Sequence, residues 1–125
     1  MKTNIGKILV IAAGALLAFF TLIYLYTLLH EGGHAIAAII YGGKVDSFVL
    51  GFDAHVTHSG TNFTRFGESL HDSAGILLPA IVLAVALKFY KRDVKYAIYH
   101  YIYAGISISI TGSFIAWVAI PIISL

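Results

Sequence analysis

Residues 8–41 read ILVIAAGALLAFFTLIYLYTLLHEGGHAIAAIIY, an apolar stretch interrupted at one place, His30-Glu31-Gly32-Gly33-His34. From Ile8 to Leu29 there is no Asp, Glu, Lys or Arg. A helix that crosses a bilayer needs about 20 mostly apolar residues, because lipid leaves every backbone N–H and C=O to be bonded within the segment. The run predicts a membrane-spanning helix. A cleaved signal peptide has an apolar core of about 7 to 15 residues; this run is longer and passes directly into a further patterned segment, so it reads as an uncleaved anchor. As one helix, residues 8–41 would be about 51 Å long against a hydrocarbon core of about 30 Å. The element is therefore not expected to run straight and unbroken. It should stay helical through His34, tilting or projecting beyond the bilayer, with the two glycines letting a neighbouring backbone come close.

Two further runs carry no charged residue, Ser73 to Leu87 and Tyr96 to Leu125. The last is long enough to span outright. The middle one reaches spanning length if it continues to Tyr90, with Lys88 lifting its ammonium toward the headgroups along its methylene stem. The fold class expected is an all-α, multi-pass integral membrane protein of about three transmembrane helices. It reads as a single domain over residues 1–125, with spans at about 8–41, 70–90 and 95–125. Composition agrees: 59% of residues are hydrophobic and 11% charged, against about 25% charged in soluble domains. A net charge of +2 is too small for a nucleic-acid-binding stripe. With no cysteine, any metal must be held by His and carboxylates.

Residues 42–69 form the one sizeable polar stretch. Phe48, Leu50, Phe52, Ala54 and Val56 alternate with Val49, Gly51, Asp53, His55 and Thr57, the period of a strand with one apolar face. Gly42-Gly43 and Ser59-Gly60 read as turns. A small β-strand or hairpin lying against the membrane is expected here. Lys88, Lys91, Arg92 and Lys95 surround Asp93 in a short basic loop, and with Lys2 and Lys7 they outnumber Lys44 and Arg65 on the other side. Charge bias places the N-terminus and this basic loop in the cytoplasm.

His30 and His34 lie four apart, so on a helix they share a face and can close on one metal ion. Glu31, about 100° around the wheel, can stand beside that ion and take a proton from water. This is the His-Glu-x-x-His arrangement of zinc hydrolases, in which zinc lowers the pKa of its water to about 7 and a carboxylate serves as general base. Ionisable groups at membrane depth are costly and point to function. Interfacial polar residues that merely end a span would not explain why Ala35 to Tyr41 resumes as apolar sequence.

The residues Leu29-His-Glu-Gly-Gly-His-Ala-Ile-Ala-Ala38, followed by Tyr41-Gly-Gly-Lys-Val45, resemble the zinc helix of the site-2 protease family of intramembrane metallopeptidases. Ser73-Ala-Gly-Ile-Leu-Leu-Pro-Ala80 is similar to the start of that family's next helix, and the resemblance covers roughly residues 20 to 90. It implies that His30 and His34 bind Zn2+, that Glu31 is the general base, and that the substrate is a membrane-spanning polypeptide. It also implies a third ligand, an Asp on a later helix. Beyond the second span the only acidic residue is Asp93, so either the chain is a piece of a longer protein or its site is completed differently. The alternative to a peptidase is a catalytically incomplete metal-binding or assembly subunit of the membrane.

The end of the first span and the start of the second lie on one side of the bilayer, which brings His71 and Asp72 toward the depth of the histidine pair. Asp72 is a candidate third ligand; the competing reading is a carboxylate that complements a helix N-terminus. A residue just beyond Leu125 would fit equally. His55 and His58, three apart on an extended segment, point to opposite faces and read as surface histidines. His100, among Tyr96, Tyr99, Tyr101 and Tyr103, reads as part of an interfacial aromatic belt. Gly105, Ser109 and Ser113 repeat at four-residue spacing and suit close helix packing, within the chain or in a homo-oligomer.

Overall fold

A computed structural model describes residues 4–124 of the chain. The elements run in the order α1 (Ile5–Ile40), β1 (Lys44–Val49), β2 (His55–Ser59), α2 (Arg65–Lys88) and α3 (Ala97–Ile123). All three helices are long and apolar enough to cross a membrane. The expected architecture, three spanning helices with a small antiparallel hairpin between the first two, is what the chain adopts. The expected end of the third span at Leu125, and Lys2 of the charge count, lie outside the described residues.

Helix α1 is continuous over 36 residues, about 54 Å. The expected break in the element does not occur; as expected, helical geometry carries through both glycines and His34, and it continues to Ile40. At Gly33 the cost of about 1 kcal/mol relative to Ala is offset by the packing it permits, whereas Gly32 has only Leu78 Cδ2 at 3.7 Å from the position of its missing Cβ. A Cβ on Gly33 would collide with the backbone carbonyl of Ala74 on α2, so α1 and α2 touch there almost backbone to backbone. Ala35, Ala37 and Ala38 on α1 are buried with Ala74, Ile76 and Pro79 on α2. Small residues allow that approach.

The end of α1 is fixed by local chemistry. Gly42 has φ +80°, its N–H donates to Ile39 O at 3.0 Å, and the Gly43 N–H donates to Ala38 O at 2.9 Å. This pair of bonds is the Schellman closure, and glycine takes the left-handed position without penalty. The chain then reverses into the hairpin, whose register pairs Val45 with His58, Phe48 with Val56 and Val49 with His55, with an irregularity between Val45 and Ser47. The alternation from Phe48 to Val56 is thus not one strand. It crosses the hairpin turn, where Gly51 takes φ +99° and donates its N–H to Thr27 Oγ1 at 3.3 Å. Phe52, at the tip, packs edge-on against Phe20 of α1 at 5.9 Å, so the hairpin folds back along the first span.

Helix α2 begins five residues earlier than the apolar pattern indicates. Thr64 caps it, its Oγ1 accepting from the Gly67 N–H at 3.0 Å, and Glu68 complements the first turn. Replacing Thr64 by Ala should therefore lower stability by about 1 kcal/mol, read as a lower midpoint in thermal denaturation of the detergent-solubilised protein. An unchanged midpoint would contradict the role of the cap. Tyr41 seats its ring against Gly67, where a Cβ would meet it at 2.6 Å, and ties the end of α1 to the start of α2.

At the opposite end, His100 clamps the turn between α2 and α3. Its Nε2–H donates to Val94 O at 2.7 Å, and its Nδ1 accepts from the Tyr90 hydroxyl. Both ring nitrogens are occupied within the protein, which makes His100 a structural residue of the aromatic cluster with Tyr99 and Tyr103. Of the small-residue stripe, Gly105 lies against α1, with Leu22 Cδ1 3.1 Å from the position of its missing Cβ. Ser113 bonds back to Ser109 O at 3.0 Å.

Candidate metal centre

The candidate residues lie in the last third of α1, where it packs on the first half of α2. His30 and His34 keep helical spacing, and their ring centroids are 5.0 Å apart. Both rings reach toward Gly75 of α2. A Cβ built there would lie 2.5 Å from His34 Nε2 and 2.9 Å from His30 Nε2. The two Nε2 atoms thus border one small space, kept open because residue 75 carries no side chain.

The other nitrogen of each ring is held from behind. His34 Nδ1 lies 2.8 Å from the carbonyl oxygen of His71; a carbonyl can only accept, so Nδ1 carries the proton and Nε2 presents its lone pair. His30 Nδ1 faces the Tyr26 hydroxyl at 3.4 Å. Metal-binding histidines are generally oriented in this way, through a partner on the nitrogen away from the metal. The tautomer that the His71 carbonyl imposes and the space at Gly75 both suit a zinc-class ion shared by the two imidazoles.

Glu31 is 8% exposed and is the one buried charged residue among those described, with no ion pair there to compensate it. An unpaired carboxylate in such a place is expensive. An apolar groove of about 180 Å³ opens beside these residues, lined by Gly33, Ile36, Ala37, Leu70, Ala74 and Leu77 among others.

Asp72 does not join the pair. It is next in sequence to His71, which faces α1, and one residue turns a helix by about 100°. Its side chain is 79% exposed and its nearest partner is His71 Nδ1 at 3.6 Å. Among the described residues no three His, Asp or Glu converge tightly enough to hold a metal ion. His55 is exposed and leans on its own turn, its Nδ1 2.8 Å from Asp53 O. His58, expected at the surface, is instead half-buried and packs its ring on His71 at 4.9 Å.

Three contributors to the site were not singled out as such in the sequence: Gly75, the His71 carbonyl and Tyr26. The spacing of Tyr26 four residues before His30 was the one available signal, since i and i+4 share a helix face. A glycine and a backbone carbonyl carry no chemical signature of their own.

A family model described as Peptidase M50B-like matches residues 3–123. No curated protein and no solved structure matches the chain.

Proposed function

The chain belongs to the Peptidase M50B-like family and is an integral multi-pass membrane protein, and from that premise we propose that it is an intramembrane zinc metallopeptidase of the site-2 type. The observation that carries the reading is the approach of both Nε2 atoms to one space at Gly75, next to a buried and unpaired Glu31. His30 and His34 would hold the metal. Zinc, when bound, supplies Lewis acidity and makes water an available nucleophile near neutral pH.

The remaining work falls to the protein. The His71 carbonyl fixes the His34 tautomer. The Glu31 carboxylate accepts a proton from the attacking water as the new C–O bond forms, and returns it to the amide nitrogen as the C–N bond breaks. Its burial keeps the carboxylate out of bulk solvent, where hydrogen bonds from water would compete with its contact to the attacking water.

The substrate in this reading is a membrane-spanning polypeptide. A peptide bond inside a helix is shielded, so it must become extended before it can be attacked. A sheet of only two strands leaves an outer edge on each, and an edge can take up an extended chain through its free N–H and C=O groups. The hairpin lies along α1 and so offers that edge close to the proposed site.

The experiment is cleavage of a single-span polypeptide co-reconstituted with the protein in vesicles. Cleavage should stop when the metal is removed by 1,10-phenanthroline and return on adding zinc. Cleavage indifferent to chelation, or an intact substrate with the zinc-loaded protein, would overturn the reading. The absence of a convergent third ligand among the described residues favours a second reading, a metal-binding or assembly subunit whose site is completed by a group from elsewhere. Under that reading zinc binds weakly to the chain alone and the substrate stays intact.

A further inference from the structure

The side chain of His71 has no part in the mechanism above, which uses only its carbonyl. Its ring lies between those of His34 and His58, at 4.9 Å from each, with Phe63 at 5.0 Å. His30, His34, His71 and His58 therefore form a ladder of imidazoles from the centre of the α1/α2 contact to the hairpin. One atom in that ladder is anomalous. His71 Nε2 is buried and has no hydrogen-bond partner among the described residues.

A buried polar atom left unpaired costs about 1 to 3 kcal/mol, and such atoms in native proteins call for a specific explanation, an ion among them. Ring packing accounts for the contacts but leaves Nε2 without a partner. The opposite nitrogen, Nδ1, faces the Asp72 carboxylate at 3.6 Å, the backing that orients metal-binding histidines. His58 approaches from β2 with its own Nδ1 3.4 Å from Thr61 Oγ1, which leaves Nε2 as its ligand atom. Imidazole pairs suit zinc, copper and nickel and are poor hosts for calcium or magnesium.

We propose that His58 and His71 form a second, outer binding position for a divalent transition-metal ion of the zinc class, one ring away from His34. The inference rests on the reading above only in taking zinc as the ion that the protein meets; the residues that hold it are different ones. The outer position stands between the hairpin surface and the inner pair, so an ion bound there is already close to His34.

The test is a zinc titration of the 125-residue chain in detergent, with a chromophoric chelator as competitor. The wild-type protein should show a weaker class of site beside the tighter one. His58→Phe keeps an aromatic ring against Phe63 and His71 but removes both nitrogens, and it should weaken the second class at least tenfold. His71→Phe, which retains the carbonyl that supports His34, should do the same. Circular dichroism checks that each variant is folded, and either folded variant suffices. No weaker class in the wild type, or a weaker class unchanged in a folded variant, would overturn the proposal. A tighter class that survives replacement of His30 and His34 by Ala would overturn the inner site instead, leaving the outer one to be judged by His58→Phe alone.

Discussion

Replacing Glu31 by Gln should lower zinc-dependent peptide cleavage by about 10² to 10⁴-fold, the usual contribution of a positioned general base, while the zinc content stays as in the wild type. The amide preserves the shape and volume of the side chain, so packing at this buried position on α1 is kept. It cannot accept a proton at neutral pH. Removing a buried charge that has no ion pair among the described residues should also leave the fold at least as stable, since that charge carries a desolvation cost with no compensating partner. The variant thus separates two roles for one residue. Zinc and cleavage lost together would make Glu31 a ligand or a structural carboxylate. Cleavage unchanged would remove it from the chemistry.

The second large effect is expected at Gly75. A methyl group there would stand 2.5 Å from His34 Nε2 and 2.9 Å from His30 Nε2, inside the space proposed for the ion. Gly75→Ala should therefore weaken zinc binding by at least the 10 to 100-fold typical of disturbed metal surroundings. Helix propensity runs the other way, since Ala is favoured over Gly in a helix by about 1 kcal/mol. Gly32→Ala is the control. Its new Cβ would meet only Leu78 Cδ2 at 3.7 Å, an ordinary contact, so zinc binding should persist and helix α1 should gain slightly in stability. Equal zinc affinity in Gly75→Ala and the wild type would contradict the placement of the ion.

Much of this architecture is legible in the amino-acid sequence. Charge-free runs mark the spans because lipid tolerates few alternatives to a helix, and Gly42-Gly43 marks the end of α1 because a left-handed residue is needed there. What escaped depends on context that periodicity does not carry. Alternation persisted across Leu50 to Ala54 although the backbone reverses in that interval, since side chains can alternate in polarity through a tight turn. The start of α2 lay hidden in Arg65 to Ser69, a segment with the charged Arg65 and Glu68 and an exposed Phe66, whose helix is set by the Thr64 cap and not by an apolar face. The continuity of α1 is not legible from length: a helix of about 54 Å exceeds a hydrocarbon core of about 30 Å, yet helical geometry holds through Gly33, where the expected close approach to Ala74 is made.

The site divides along the same line. The His-Glu-x-x-His spacing could be read directly, because helix geometry converts a sequence interval into a shared face. Asp72 could be placed at the right depth but not on the right side of its helix, for the phase of α2 is decided by which residues meet α1. The space at Gly75 and the stacking of His58 on His71 come from tertiary packing alone. A third ligand is absent from both descriptions: Asp72 points outward, and no other His, Asp or Glu among the described residues completes the pair.

The central claim is that His30 and His34 hold the metal. Its most direct measurement is the zinc content per chain of detergent-purified protein after dialysis against a mild chelator that strips weakly held ions, compared between the wild type and the His30→Ala, His34→Ala double variant. The wild type should retain up to one zinc per chain and the folded double variant none. Equal zinc in the two proteins would contradict the account.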